Sequence, residues 1–178
     1  MKHVSFIRGI NVGKAKRVAM VELRTLAGEL GYTNVRTLRN SGNLIFDTTR
    51  VKGKTASKKI EKELYSRLNV AARVITLTEE EIDRIIGANP LGEIATEPSR
   101  FLIAILEDPD DRSLLQPILE QDWTPEIIAL DERGVYLWCP GGVLASPLAK
   151  AVYGALGEKV STRNWATMLK IDQMIKKK

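Results

Sequence analysis

Within the first 78 residues, apolar patterning of period two and of period 3.6 alternates in an order that few folds accommodate. Val4–Ile7 reads as a short strand. Met20, Leu23, Ala27 and Leu30 then recur at helical spacing, and Gly31 supplies a stop. Val35–Leu38 and Leu44–Phe46 read as strands flanking Asn40-Ser41-Gly42-Asn43, a strong hairpin signal. Ala56, Ile60, Leu64 and Leu68 mark a second helix whose other face carries Lys58, Lys59 and Lys62, and Val74–Leu77 reads as a fourth strand. The order is βαββαβ, the split βαβ of ferredoxin-like folds, with two helices covering one face of an antiparallel sheet. Ile10, Met20, Leu23, Leu30, Phe46, Ile60 and Leu64 are expected to share one core.

Beyond residue 78 the pattern partly repeats. Thr78 and Glu81 form a capping box opening a short helix with Ile82, Ile85 and Ile86, stopped by Gly87 and Pro90. A linker-like loop over 89–99 leads to an apolar strand, Phe101–Leu106. A helix is expected over Asp110–Gln121, with Pro117 either kinking it or falling in its first turn. Glu126–Leu130 and Val135–Cys139 flank Asp131-Glu132-Arg133-Gly134 as a second hairpin. Helices are expected over Ser146–Leu156 and Thr162–Lys176, with Lys176-Lys177-Lys178 as a solvated C-terminal run. The reading is therefore α+β in two domains. A ferredoxin-like domain spans 1–78, and a second α+β domain with C-terminal helices spans 79–178.

Charge is segregated along the chain. Residues 1–78 hold 16 Lys and Arg against 5 Asp and Glu, residues 79–132 hold 3 against 15, and residues 133–178 hold 8 against 2. The basic ends can attract a polyanion, or the opposite charges can face each other across an interface. Nothing approaches the apolar length of a membrane span. The start lacks the apolar run of a signal peptide, and the lone Cys139 cannot form an internal disulfide. A cytoplasmic protein is expected.

Chemistry concentrates in one stretch. Arg8-Gly9-Ile10-Asn11-Val12-Gly13 and the run Lys14-Ala15-Lys16-Arg17 sit where the first strand gives way to the first helix. Two glycines and Asn11 allow left-handed backbone, and backbone N–H groups at a helix start with cations nearby can hold an anion. The spacing matches neither the dinucleotide nor the Walker fingerprint. A structural turn with solvated cations is the competing reading. Thr162-Arg163-Asn164-Trp165 opens the last helix, with Thr162 or Asn164 as its cap; Arg163 and Asn164 could also face an anion.

One His and one Cys give no zinc spacing and no nucleophile–base pair, so no metal, cofactor or catalytic set is assigned, and whether the protein is an enzyme stays open. The aromatics follow no RNA-binding pattern, which leaves charge alone to support nucleic-acid binding.

The ligand-binding candidates are Arg8, Asn11, Gly13, Lys14, Ser41, Asn43, Arg163 and Asn164. The ligand class is a phosphate-containing small molecule or a nucleic-acid backbone. An enzyme with its site between the lobes and a structural or protein-partner role are the alternatives. The loop after strand one and the hairpin are expected at opposite ends of the sheet. Their shared Asn, Ser and Gly content nonetheless predicts that Arg8 or Asn11 reaches Ser41 or Asn43, with Arg163 and Asn164 closing the cluster.

Arg8–Gly13, Met20 and Leu23, Ser41-Gly42-Asn43 with Phe46, and Thr162–Trp165 with Thr167 together resemble the bacterial family called domain of unknown function 1697. The resemblance runs over nearly the whole chain, and its three motifs fall in the family's order. It departs at Lys14, where the family's loop usually continues with Gly. It implies a ferredoxin-like first domain, a second α+β domain and no assigned activity.

Overall fold

The chain is described here over residues 1–177 by a computed structural model. Among those residues it is a mixed α+β protein with two four-stranded antiparallel sheets and six α-helices. It divides into two compact units, Met1–Ile82 with Ile175–Lys178 and Asp83–Met174. Lys178, the end of the expected basic run, lies outside the described residues.

The first unit runs β1 (Lys2–Arg8), α1 (Met20–Glu29), β2 (Thr33–Leu38), β3 (Asn43–Asp47), α2 (Gly53–Leu68) and β4 (Arg73–Thr78), with strand order β2-β3-β1-β4. Ile7, Leu44, Phe46 and Val74 from the sheet pack with Leu23, Leu26, Ile60 and Leu64 from the two helices. Ile10 belongs to this core, and Met20 and Leu30 pack against it half-buried, so the seven expected core residues do share one cluster. Val4, Phe6, Ile45, Ile75 and Leu77 are buried too, so residues of both alternating sets along these strands are shielded from water.

The pairing of β1 with β3 corrects one expectation. Phe6 lies opposite Asn43 and Lys2 opposite Asp47, so β1 ends where β3 begins. The loop after β1 and the β2–β3 turn therefore lie at the same end of the sheet. Antiparallel register alone brings them together.

α3 (Glu79–Gly87) opens on the expected capping box: Thr78 N–H donates to Glu81 Oε2 at 2.8 Å, and Glu81 N–H donates to Thr78 Oγ1 at 3.2 Å. β5 (Phe101–Leu106) follows. The helix expected over 110–121 is a 3₁₀ segment, Pro109–Leu115, followed by a short α4 (Gln116–Leu119). Pro117, in the first turn of α4, lacks the N–H that would continue a regular helix through that point. β6 (Ile127–Leu130), β7 (Gly134–Trp138) and α5 (Pro147–Leu156) come next. Ser146 caps α5, its Oγ accepting from Ala149 N–H at 2.9 Å.

The last helix starts later than the sequence suggests. Residues Val160–Asn164 form β8, which pairs with β5 and puts Arg163 opposite Ile103, and α6 spans Trp165–Lys176. The reason is dual use of Asn164. Its backbone ends the strand while its Oδ1 accepts from the N–H and the hydroxyl of Thr167, at 2.9 and 2.7 Å. β8 completes a second βαββαβ order, and the strand order β6-β7-β5-β8 mirrors that of the first sheet. No helix among the described residues is long and apolar enough to cross a membrane.

Candidate functional site

The loop joining β1 to α1 is closed at its base and open at its tip. Ile10 and Val18, each 2% exposed, drop into the core on either side of it. Between them Asn11 acts as a clasp. Its Oδ1 accepts Val18 N–H at 2.9 Å and its Nδ2 donates to Val18 O at 2.8 Å, so one side chain pairs with a backbone as a strand would. The same Nδ2 donates to Asn40 O at 2.8 Å, tying the loop to the β2–β3 turn. Asn11 N–H donates to Lys16 O at 3.0 Å and closes the inner ring.

The turn side is equally constrained. Ile7 N–H donates to Gly42 O at 2.8 Å. A Cβ on Gly42 would lie 2.7 Å from Ile7 O, and its φ of +79° is left-handed, so β1 dictates glycine here. Asn43 is buried, and its Nδ2 donates to Leu38 O and to Ser41 Oγ, both at 3.0 Å.

What remains outside is the six-residue tip, Val12–Arg17, all of it exposed, with Val12 at 73%. Its backbone visits the left-handed region at Gly13 (φ 65°) and Lys16 (φ 52°), just after Asn11 (φ 56°). For Lys16 that conformation costs about 1–2 kcal/mol, with no Cβ-free residue to relieve it. Lys14, Lys16 and Arg17, with Arg39 in the facing turn, form no ion pair among the described residues. Half-exposed Arg8, across from Arg73, belongs to the same sheet end. The acids nearby are engaged. Glu22 accepts Ala19 N–H at 3.2 Å, while Glu61 accepts Val74 N–H at 2.8 Å and lies 3.9 Å from Arg73. The tip is thus a positive, preformed protrusion.

The eight candidate residues are shared between the two units. Arg8, Asn11, Gly13, Lys14, Ser41 and Asn43 gather at one end of the first sheet, as the shared turn chemistry suggested, and the Asn11 bond to Asn40 O joins the loop to the turn. Arg163 and Asn164 belong to the second unit. Arg163 Nη1 donates to Thr162 O at 2.8 Å and to Ser161 Oγ at 3.1 Å, and burial pushes its guanidinium down to about 10. Asn164 is occupied as the cap of α6. Val18 and Asn40, which complete the clasp, were not foreseen. Both meet Asn11 through backbone atoms, which leave no mark in residue type.

Elsewhere in this unit, an open groove of about 530 Å³ is lined by Lys2, Asn34, Val35, Arg36, Asp47 and Lys177. The pair Lys2 and Asp47 places it at the other end of β1, away from the loop. Cys139 is buried, its thiol pushed up by desolvation. Among the described residues, no three His, Cys, Asp or Glu side chains gather closely enough to hold a metal ion.

Comparison with known proteins finds a solved structure and a family model that match the chain. Over its full length it is similar in structure to a conserved bacterial protein, SP0830, from Streptococcus pneumoniae, with a TM-score of 0.78, 21% identity and 98% of each chain covered. At that identity the likeness is one of fold. No curated protein matches the sequence significantly. The model of a family described as "Protein of unknown function (DUF1697)" matches residues 1–136, and this chain belongs to that family.

Proposed function

We propose that this protein is a binding module for a phosphate-bearing anion, which docks on the loop tip 12–17 with Arg8 and Ser41 at its base. One observation carries the reading. The loop's base is closed by three hydrogen bonds from the Asn11 side chain, yet its tip buries nothing and holds Lys14, Lys16 and Arg17 without acidic partners. A fixed base means that little ordering is left for binding to supply. Left-handed residues interleaved along the tip belong to the backbone pattern that turns N–H groups toward an anion. Asn11, Asn43 and Asn164 serve as clasp, turn lock and helix cap, so the direct contacts fall to Gly13, Lys14 and their basic neighbours.

The strand order β2-β3-β1-β4 with helices after β1 and β3 supports a ferredoxin-like assignment for residues 1–78. The repeated order supports a related second domain over 79–178. A single cysteine, buried and free, supports a reducing cytoplasmic setting.

Thermal unfolding in increasing inorganic phosphate or pyrophosphate, at constant ionic strength, tests the function. A ligand bound only by the folded state raises the midpoint progressively. The rise is expected in the parent protein and not in a Lys14→Ser, Lys16→Ser variant. An equal rise in both overturns the reading.

A further inference from the structure

We infer that the outer face of α2 is a second, separate docking surface, and that its partner is the backbone of a single-stranded nucleic acid. α2 buries Ala56, Ile60 and Leu64 in the core and leaves the opposite face to water. That face carries Lys54, Lys58 and Lys62 at successive i, i+4 positions, followed by Tyr65 one turn on, and all four are exposed. The row is about 16 Å long at helical rise.

Like charges at i, i+4 weaken a helix, and Lys54 adds a cation at the end where the helix dipole is already positive. Among the described residues no ion pair offsets this at Lys54, Lys58, Lys59 or Lys62. The acids of the same helix are spent elsewhere. Glu63 takes Arg67 Nε at 2.7 Å, and Glu61 takes the backbone of Val74. The ridge is an uncompensated line of cations, and a polyanion is its complement.

Tyr65 decides which polyanion. At 62% exposure its ring is offered to solvent beside Lys62. An unpaired base can stack on such a ring while the lysines track its phosphates, whereas the bases of a duplex are stacked on one another and unavailable. A membrane fits less well, because the apolar face that a helix would insert among lipids is committed to the core. The inference does not rest on the loop reading, and its residues are distinct from that tip.

The test is fluorescence anisotropy of a labelled single-stranded 20-nucleotide RNA, the same sequence as a duplex, and anionic phosphatidylserine vesicles. The proteins are the parent and the variants Lys58→Glu/Lys62→Glu, Lys14→Glu/Lys16→Glu and Tyr65→Ala. All these positions are exposed, and circular dichroism verifies that each variant is folded. The parent is expected to prefer the single strand. Reversal of Lys58 and Lys62 should weaken binding at least about ten-fold and flatten the log–log salt dependence by about 1.4, two contacts' worth for a single strand. Tyr65→Ala should cost about ten-fold with the salt slope unchanged. Lys14→Glu/Lys16→Glu should leave most of the affinity in place. Undiminished binding by Lys58→Glu/Lys62→Glu, preference for duplex or vesicles, or loss confined to the loop variant overturns the inference.

Discussion

The Asn11 carboxamide and the Val18 peptide exchange two hydrogen bonds, Oδ1 accepting from Val18 N–H at 2.9 Å and Nδ2 donating to Val18 O at 2.8 Å. A side chain here replaces a strand, and it holds the mouth of an exposed cationic loop against a buried apolar anchor. Asn11→Ala strands the Val18 N–H in the core and leaves a left-handed alanine. It is expected to cost about 1–3 kcal/mol for the unmet donor alone. Asn11→Asp keeps the acceptor but turns a carboxylate toward two carbonyls, and should also destabilise. Urea unfolding of the two variants measures both effects.

Gly42 and Gly13 both have positive φ and differ in their surroundings. A Cβ on Gly42 meets Ile7 O at 2.7 Å and Ile7 Cβ at 2.9 Å, whereas one on Gly13 meets nothing within 4 Å. Gly42→Ala is therefore expected to cost about 2–4 kcal/mol, strain plus overpacking, and Gly13→Ala about 1–2 kcal/mol, strain alone. Melting temperatures of the two variants should rank accordingly, and the reverse order would contradict the register of β1 against the turn.

His3 is the protein's only histidine, 1% exposed, stacked on Phe46 at 5.6 Å, with Nδ1 3.2 Å from Met1 O. Burial lowers its pKa below 6.5 more than the Met1 carbonyl raises it. Above 6.5 the ring is neutral in both states and pH has no effect through it. Below 6.5 the unfolded chain takes up the proton first, so stability falls as pH drops toward the folded pKa. Unfolding free energy measured at pH 7.5 and 5.5 should decline in the parent and decline less in His3→Phe.

The helix and strand segments of the first 78 residues were legible because α1 and α2 each bury an apolar stripe at helical spacing, while β1, β3 and β4 are short segments with apolar residues buried on both faces, and Asn40–Asn43 announces its turn by residue type alone. β8 was not. Ser161-Thr162-Arg163-Asn164 lacks an apolar alternation, and only its distant partner β5 makes it a strand. Asn164 reads correctly as a helix cap, but that local signal says nothing of what precedes it. The candidate site divides along the same line. Left-handed turns and clustered cations show in the residues, while the pairing of Asn11 with Val18 and Asn40 depends on how three backbone segments meet. The expectation that the loop and the turn lie at opposite ends failed for the same reason, since the β1–β3 register is a non-local fact.

Residue-resolved NMR of the ¹⁵N-labelled protein, titrated with inorganic phosphate, shows whether Val12–Arg17 receives a phosphate group. With chloride-matched ionic strength as the reference, saturable shifts should appear at the amides of Gly13, Lys14, Lys16 and Arg17. Weaker shifts should appear at Arg8 and Ser41, with none at the groove residues Asn34 and Asp47. Shifts that are absent, that do not saturate, or that scatter over the basic surface without favouring the loop would contradict phosphate binding there.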